Sequence, residues 1–150
     1  MTLNEKSLIL QELSHAKISH MRWVKRAEHL ISDLPVDKDF IPLEATTCEF
    51  GVWLYNIGSS LRLKDEFKNI IEQIEFYHDN LHDTYLLIYK IYFVVPENRS
   101  LLHKIMTFNS HNPSNSEKVI AKEHYETIKK SSYKLLNLID RLDNMVREAS

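Results

Sequence analysis

Glycine is almost missing from this chain: two residues of 150, Gly51 and Gly58. So few leave no material for a P-loop, a dinucleotide fingerprint or any other glycine-rich phosphate cradle. They also argue against an all-β chain, which wants glycine in its turns. Cysteine is rarer still. Cys48 alone excludes an intramolecular disulfide and points to a cytoplasmic setting. No charge of one sign dominates, since 19 Lys+Arg against 21 Asp+Glu gives −2 with the eight His neutral. That balance lacks the clustered basic excess that nucleic acid or an anionic membrane surface would call for. Long apolar runs are absent too. The longest, Leu86–Val95, is ten residues interrupted by Lys90, whereas a membrane span needs about 17–25. The first fifteen residues break their apolar positions with charge, unlike a signal peptide. What is present is enough chain for one domain over residues 1–150, a size that buries about 68–70% of the unfolded surface without a staple.

The four prolines, Pro35, Pro42, Pro96 and Pro113, parse the rest. Proline removes a donor and clashes with the preceding turn, so helices end near it. The segments between predict an all-α protein: an antiparallel helical bundle of four long or medium helices plus a short one. The first helix is expected over about Leu3–Asp33, opened by Thr2 and Glu5 at capping-box spacing. Its face is Leu13, Ala16, His20, Trp23, Ala27, Leu30 and Leu34. A loop with buriable Phe40 and Ile41 follows. Thr46 and Glu49 repeat the capping-box spacing and open the short helix, which Gly58-Ser59-Ser60 should end near Ile57. The longest helix runs from about Lys64 to Val95 on the stripe Phe67, Ile71, Ile74, His78, Leu81/His82, Tyr85, Ile88 and Tyr92. A medium helix is expected over about Arg99–Phe108. Ser114 and Glu117 then cap a last helix to about Arg147, with Ala121, Tyr125, Ile128, Leu135, Ile139, Leu142 and Val146 on one face.

Three histidines, at 20, 78 and 82, fall on stripes that ought to be apolar. Burying an imidazole costs free energy unless its nitrogens are satisfied. His78 and His82 are four residues apart, so their rings share a helix face and can share a metal; the same spacing also suits two core histidines bonded to carbonyls. Cys48 sits at the start of the short helix, where a helix N-terminus lowers a thiol's pKa and favours the metal-binding thiolate. A small buried hydrophobe is the other reading of a lone Cys. Gly51, one turn later, leaves room for another helix to approach. Trp53 is placed to wall the site from water, and Trp23 follows His20 by one turn; both suit ordinary core equally. Together His20, Cys48, His78 and His82 offer one thiolate and three imidazoles, a set that fills a tetrahedral Zn²⁺ shell. Copper or nickel would want a more tetragonal site. A filled shell keeps no open position for water, so it suits structure or sensing, and no enzyme activity is expected. Glu75 and Asp79 are near enough to His78 to orient its ring. Zinc must compete with protons, so binding is expected to weaken below about pH 6.5.

His20-Met21-Arg22-Trp23 fits an H-x-x-W element. Cys48-Glu49-Phe50-Gly51-Val52-Trp53-Leu54-Tyr55 fits C-x-F-G-x-W-L-Y, and His78-Asp79-Asn80-Leu81-His82 fits H-x-x-x-H. In this order and spacing the chain resembles the chemoreceptor zinc-binding (CZB) domain, which accompanies bacterial cytoplasmic chemoreceptors and some diguanylate cyclases. The periodicity of Ala121, Tyr125, Ile128 and Ser132 is similar to that family's closing helix. The resemblance implies a helical bundle, often a homodimer, with zinc on His20, Cys48, His78 and His82. It further implies regulation: metal occupancy or cysteine oxidation alters helix placement and the output of a signalling protein in cis or in trans, of the chemotaxis or cyclic-di-GMP type. The chain carries neither a receptor signalling hairpin nor a cyclase domain, so it is either a free-standing sensor or one part of a longer protein. The apolar end at Leu86–Val95 supports the homodimer, since such an end needs cover on more than one side.

Other classes fit less well. A hemerythrin-like di-iron bundle needs about five His plus bridging carboxylates, and no His here has a Glu four residues later. A zinc hydrolase of the H-E-x-x-H type is excluded because Asp79, not Glu, follows His78. A metal-free helical interaction module is the remaining alternative. His15, His29, His103, His111 and His124 are taken as solvated or rim residues.

Overall fold

The computed structural model describes residues 1–94 and 112–149. Three long helices carry the architecture: α1 Leu3–Ile31, α4 Asp65–Phe93 and α5 Asn115–Glu148. Between α1 and α4 lie a single 3-10 turn, Lys38–Phe40, and a short continuous helical rod. The rod is α2 Glu49–Trp53, a π-type turn Leu54–Gly58, and α3 Ser59–Arg62. No strand occurs among the described residues, and the class is all-α as the sequence predicts. No helix among them is long and apolar enough to cross a membrane. The medium helix expected at 99–108 lies outside the described residues, as do His103 and His111.

The three long helices form where the 3.6-residue stripes place them. α1 buries Leu13, Ala16, His20, Trp23, Ala27 and Leu30. α4 buries the whole predicted stripe, and α5 buries Ala121 through Val146 with Ser131 and Ser132 among the apolar residues. Both predicted long-helix capping boxes are present, Thr2–Glu5 and Ser114–Glu117, each satisfying two otherwise orphan backbone donors. α5 runs antiparallel to both partners. Lys17 on α1 pairs with Asp140, and Lys118 reaches Asp33 at 3.0 Å. On the other flank Asn80 meets Ser131, and Lys134 lies over the Tyr77 ring.

Four expectations need correction. The first helix stops at Ile31, because Asp33 takes a left-handed φ of 60° and the Leu34 N–H folds back onto the His29 carbonyl at 3.0 Å. This is the usual helix stop with Asp in the glycine-like position. Leu34 is therefore exposed and off the α1 face, and Phe40 is 54% exposed beneath the Arg26 guanidinium, while Ile41 is buried as expected. The short helix is capped by Cys48, not Thr46: the Cys48 Sγ accepts from the Gly51 N–H at 3.1 Å. Finally, Gly58 does not stop the rod. It stays right-handed, and a Cβ there would come within 3.1 Å of the Leu54 side chain, so its bareness serves close packing.

Candidate metal centre

Halfway along the bundle, α1, α2 and α4 converge on one cavity of about 270 Å³. Its wall includes His20, Cys48, His78 and His82, with Trp23 and Phe50 beside them. Their placement follows from local structure. His78 and His82 project from consecutive turns of α4, with ring centroids 4.8 Å apart. Cys48 stands at the N-cap of α2, held by a sharp backbone approach: a Cβ on Gly51 would lie 1.6 Å from the Ala45 carbonyl oxygen. Thus the glycine admits the 44–47 turn, not a neighbouring helix.

The donors of Cys48, His78 and His82 all lie within 4.8 Å of one another and are buried. The Cys48 Sγ is 3.1 Å from His78 Nε2. His82 Nδ1–H donates to the Leu43 carbonyl at 2.8 Å, which leaves Nε2 for the cavity. His78 Nδ1 is buried without a hydrogen-bond partner. Zinc bonds of about 2.0–2.1 Å to nitrogen and 2.3 Å to sulfur set donor separations near 3.5 Å, so a small side-chain contraction fits these three residues to the ion. His20 borders the same cavity but stands apart from the three. Its Nε2 shares a hydrogen bond of 2.9 Å with Ser132 Oγ on α5.

The electrostatics follow from burial. Desolvation, then the neighbouring His82, lowers His20 to about 4 and His78 to about 3; His20 adds a smaller push on His78. His82 is lowered by burial also, against the Leu43 hydrogen bond, which favours its charged form. All three are therefore neutral at neutral pH, the state a ligand requires. Cys48 departs from the sequence expectation. Burial raises its thiol above the ordinary value, and the N–H groups of Gly51 and Phe50 offset this only in part. A helix end helps a thiolate only where desolvation does not outweigh it.

Several roles differ from the sequence reading. Trp53 does not wall the site; it lines a separate groove with Glu12 and His15. The Phe50 ring does so instead, 4.8 Å from the His78 ring and 5.9 Å from that of His20. Glu75 is engaged by Arg62 at 2.8 Å. Asp79 lies 4.0 Å from His78 Nδ1 and accepts instead from the Tyr55 hydroxyl, so neither orients the ring. The orienting contacts are ones the sequence does not reveal, although it singles out Trp23 beside His20. Trp23 Nε1 donates to the Pro42 carbonyl at 3.2 Å and its ring lies against His82 at 4.9 Å. It thereby fixes the loop whose next carbonyl, that of Leu43, receives His82. No sequence signal marks a backbone acceptor. Ser132 did have one, as a hydroxyl on an apolar stripe.

No curated protein and no solved structure matches this chain. A family model does: residues 20–88 match the chemoreceptor zinc-binding domain. The match opens on His20 and spans Cys48, His78 and His82, the residues that line the cavity. A buried Cys–His–His group, in a helical bundle, thus lies within the stretch, residues 20–88, that is similar to the chemoreceptor zinc-binding domain family.

Proposed function

We propose that the chain is a zinc-dependent sensor domain, with Zn²⁺ held by Cys48, His78, His82 and, as fourth ligand, His20. The observation that carries this is the three buried donors within 4.8 Å of one another, one of them with its second ring nitrogen unpartnered. Bound there, zinc supplies a closed electrostatic anchor and not a hydrolytic centre, so the role is regulatory and not enzymatic. The ligands come from α1, from the N-cap of α2 and from α4, so occupancy biases how these elements sit together. The output is carried by a signalling protein, attached or separate, of the chemotaxis or cyclic-di-GMP type, and the chain acts as a homodimer in the cytoplasm.

Cys48 gives this sensor a second input. Its Sγ both faces His78 and caps α2 through the Gly51 N–H. Reaction of the thiolate with hypochlorous acid forms a sulfenic acid and releases chloride, and the oxidised sulfur loses ligand and cap strength together. Mass spectrometry of Cys48 during oxidant titration, with hydrogen exchange over residues 46–57, tests this. Oxidation of the methionines ahead of Cys48 would sink it. The zinc assignment is tested by elemental analysis: one zinc per chain is expected in the natural protein, with loss in Cys48→Ala, His78→Ala and His82→Ala. Full retention in any of these removes that residue from the shell.

A further inference from the structure

His20 stands outside the three-donor group, and its 2.9 Å bond to Ser132 is a link between α1 and the closing helix α5. Both residues are buried. Next to Ser132, Ser131 Oγ donates to Asn80 Oδ1 at 3.1 Å, so α5 is keyed to α4 at the same level. We propose that Ser132 is a positioning residue that holds His20 back from Cys48, His78 and His82, so that entry of His20 into the metal shell breaks the α1–α5 bond. This rests on the zinc reading above.

Cys48, His78 and His82 have converged donors, and His20 has not. Whichever ring nitrogen His20 contributes, joining them requires its ring to move, and Nε2 is the atom now tied to Ser132. The exchange is cheap for Ser132, because a helical serine can turn its hydroxyl to the carbonyl four residues earlier. A bond that costs little to break on one side, and is replaced by a metal ligand on the other, makes a two-position element. Its consequence falls on α5, which supplies none of the four ligands yet packs against both helices that carry the ligand histidines. Occupancy is thereby transmitted to a helix the metal does not touch.

The test is zinc affinity by chelator competition in the natural protein, Ser132→Ala, Ser132→Thr, His20→Ala and the Ser132→Ala/His20→Ala double variant. Removing the competing hydroxyl should tighten zinc about fivefold, equivalent to about 1 kcal/mol at 1.36 kcal/mol per tenfold. Ser132→Thr, which keeps a hydroxyl, should match the natural protein, and the gain should vanish when His20 is absent. Hydrogen exchange around residues 128–136 should rise on zinc loading in the natural protein and stay level in Ser132→Ala. Unchanged or weaker zinc binding in Ser132→Ala, or the same gain without His20, overturns the positioning role while leaving the zinc reading intact. Failure of the natural protein itself to bind zinc overturns both.

Discussion

At Cys48 the environment that suits a zinc ligand also keeps the thiol protonated. Burial holds its pKa above the ordinary value while two imidazoles at the site are lowered to about 4 and about 3. Between about pH 6 and 8.5 the imidazoles are then already deprotonated, and each zinc bound releases one proton, from the sulfur. Apparent zinc affinity should rise about tenfold per pH unit over that range, and Cys48→Ala should flatten the slope while weakening binding. Calorimetry in buffers of different ionisation enthalpy counts the protons; a count near zero would mean the thiolate is preformed. From the sequence alone the pH threshold is expected at the free imidazole value of about 6.5. The buried rings move that competition to more acidic solution. The metal-free fold pays the corresponding cost. Unfolded histidines titrate near 6.5, so below that pH the unfolded chain takes up protons the native state refuses. Urea midpoints of metal-free protein should be level from pH 8 to 7 and fall as pH drops from 6.5 toward 4. A midpoint constant down to pH 5 would contradict the neutral, buried rings.

The α2 rod, residues 49–62, is where sequence reasoning was least complete. The elements α1, α4 and α5 were legible because a 3.6-residue stripe repeated over 29 or more residues outweighs local ambiguity. Even the near-continuous apolar run at 86–94 obeys its stripe, and α4 continues to Phe93. The rod is too short for that averaging. Its start depends on whether an oxygen or a sulfur caps it, and its course on a π-type turn that no simple periodicity encodes. Residue identity still marked what mattered there, since Cys48, Phe50 and Gly51 all contribute to the site. Gly51 is the most stringent of them. Its missing Cβ would meet a backbone oxygen at 1.6 Å, and backbone cannot move aside as a flexible side chain does. Gly51→Ala should therefore push the 44–47 turn away from α2, costing about 1–3 kcal/mol of stability and at least tenfold in zinc affinity by displacing Cys48. Gly58→Ala meets only a leucine side chain at 3.1 Å and should leave zinc binding within about twofold. Equal effects from the two substitutions would remove the special role of the Gly51 approach.

For the whole molecule, the ligands were legible as residues but their arrangement was not. Nothing in the spacing says that His20 would be paired with Ser132, 112 positions away, because only the packing of α5 brings them together. The same packing changes the case for self-association. The run 86–94 looked too apolar for one chain, yet Ile88, Tyr89, Ile91, Tyr92 and Val94 are all buried within it. Among the large apolar residues that remain outside are Phe76 on α4, 64% exposed, and Tyr133 on α5, 69% exposed. If a second copy covers part of this surface, the solution mass is twice 17.8 kDa by light scattering at micromolar concentration. A charge at Phe76 then separates association from folding. Phe76→Glu should halve the mass with little change in thermal midpoint of the resulting monomer. Ile91→Glu, by contrast, places a carboxylate in the chain's own core, where an unpaired charge is strongly penalised, and should lower the midpoint sharply or prevent folding. A natural protein that is monomeric at these concentrations removes the homodimer. A dimer unaffected by Phe76→Glu moves its interface to another face.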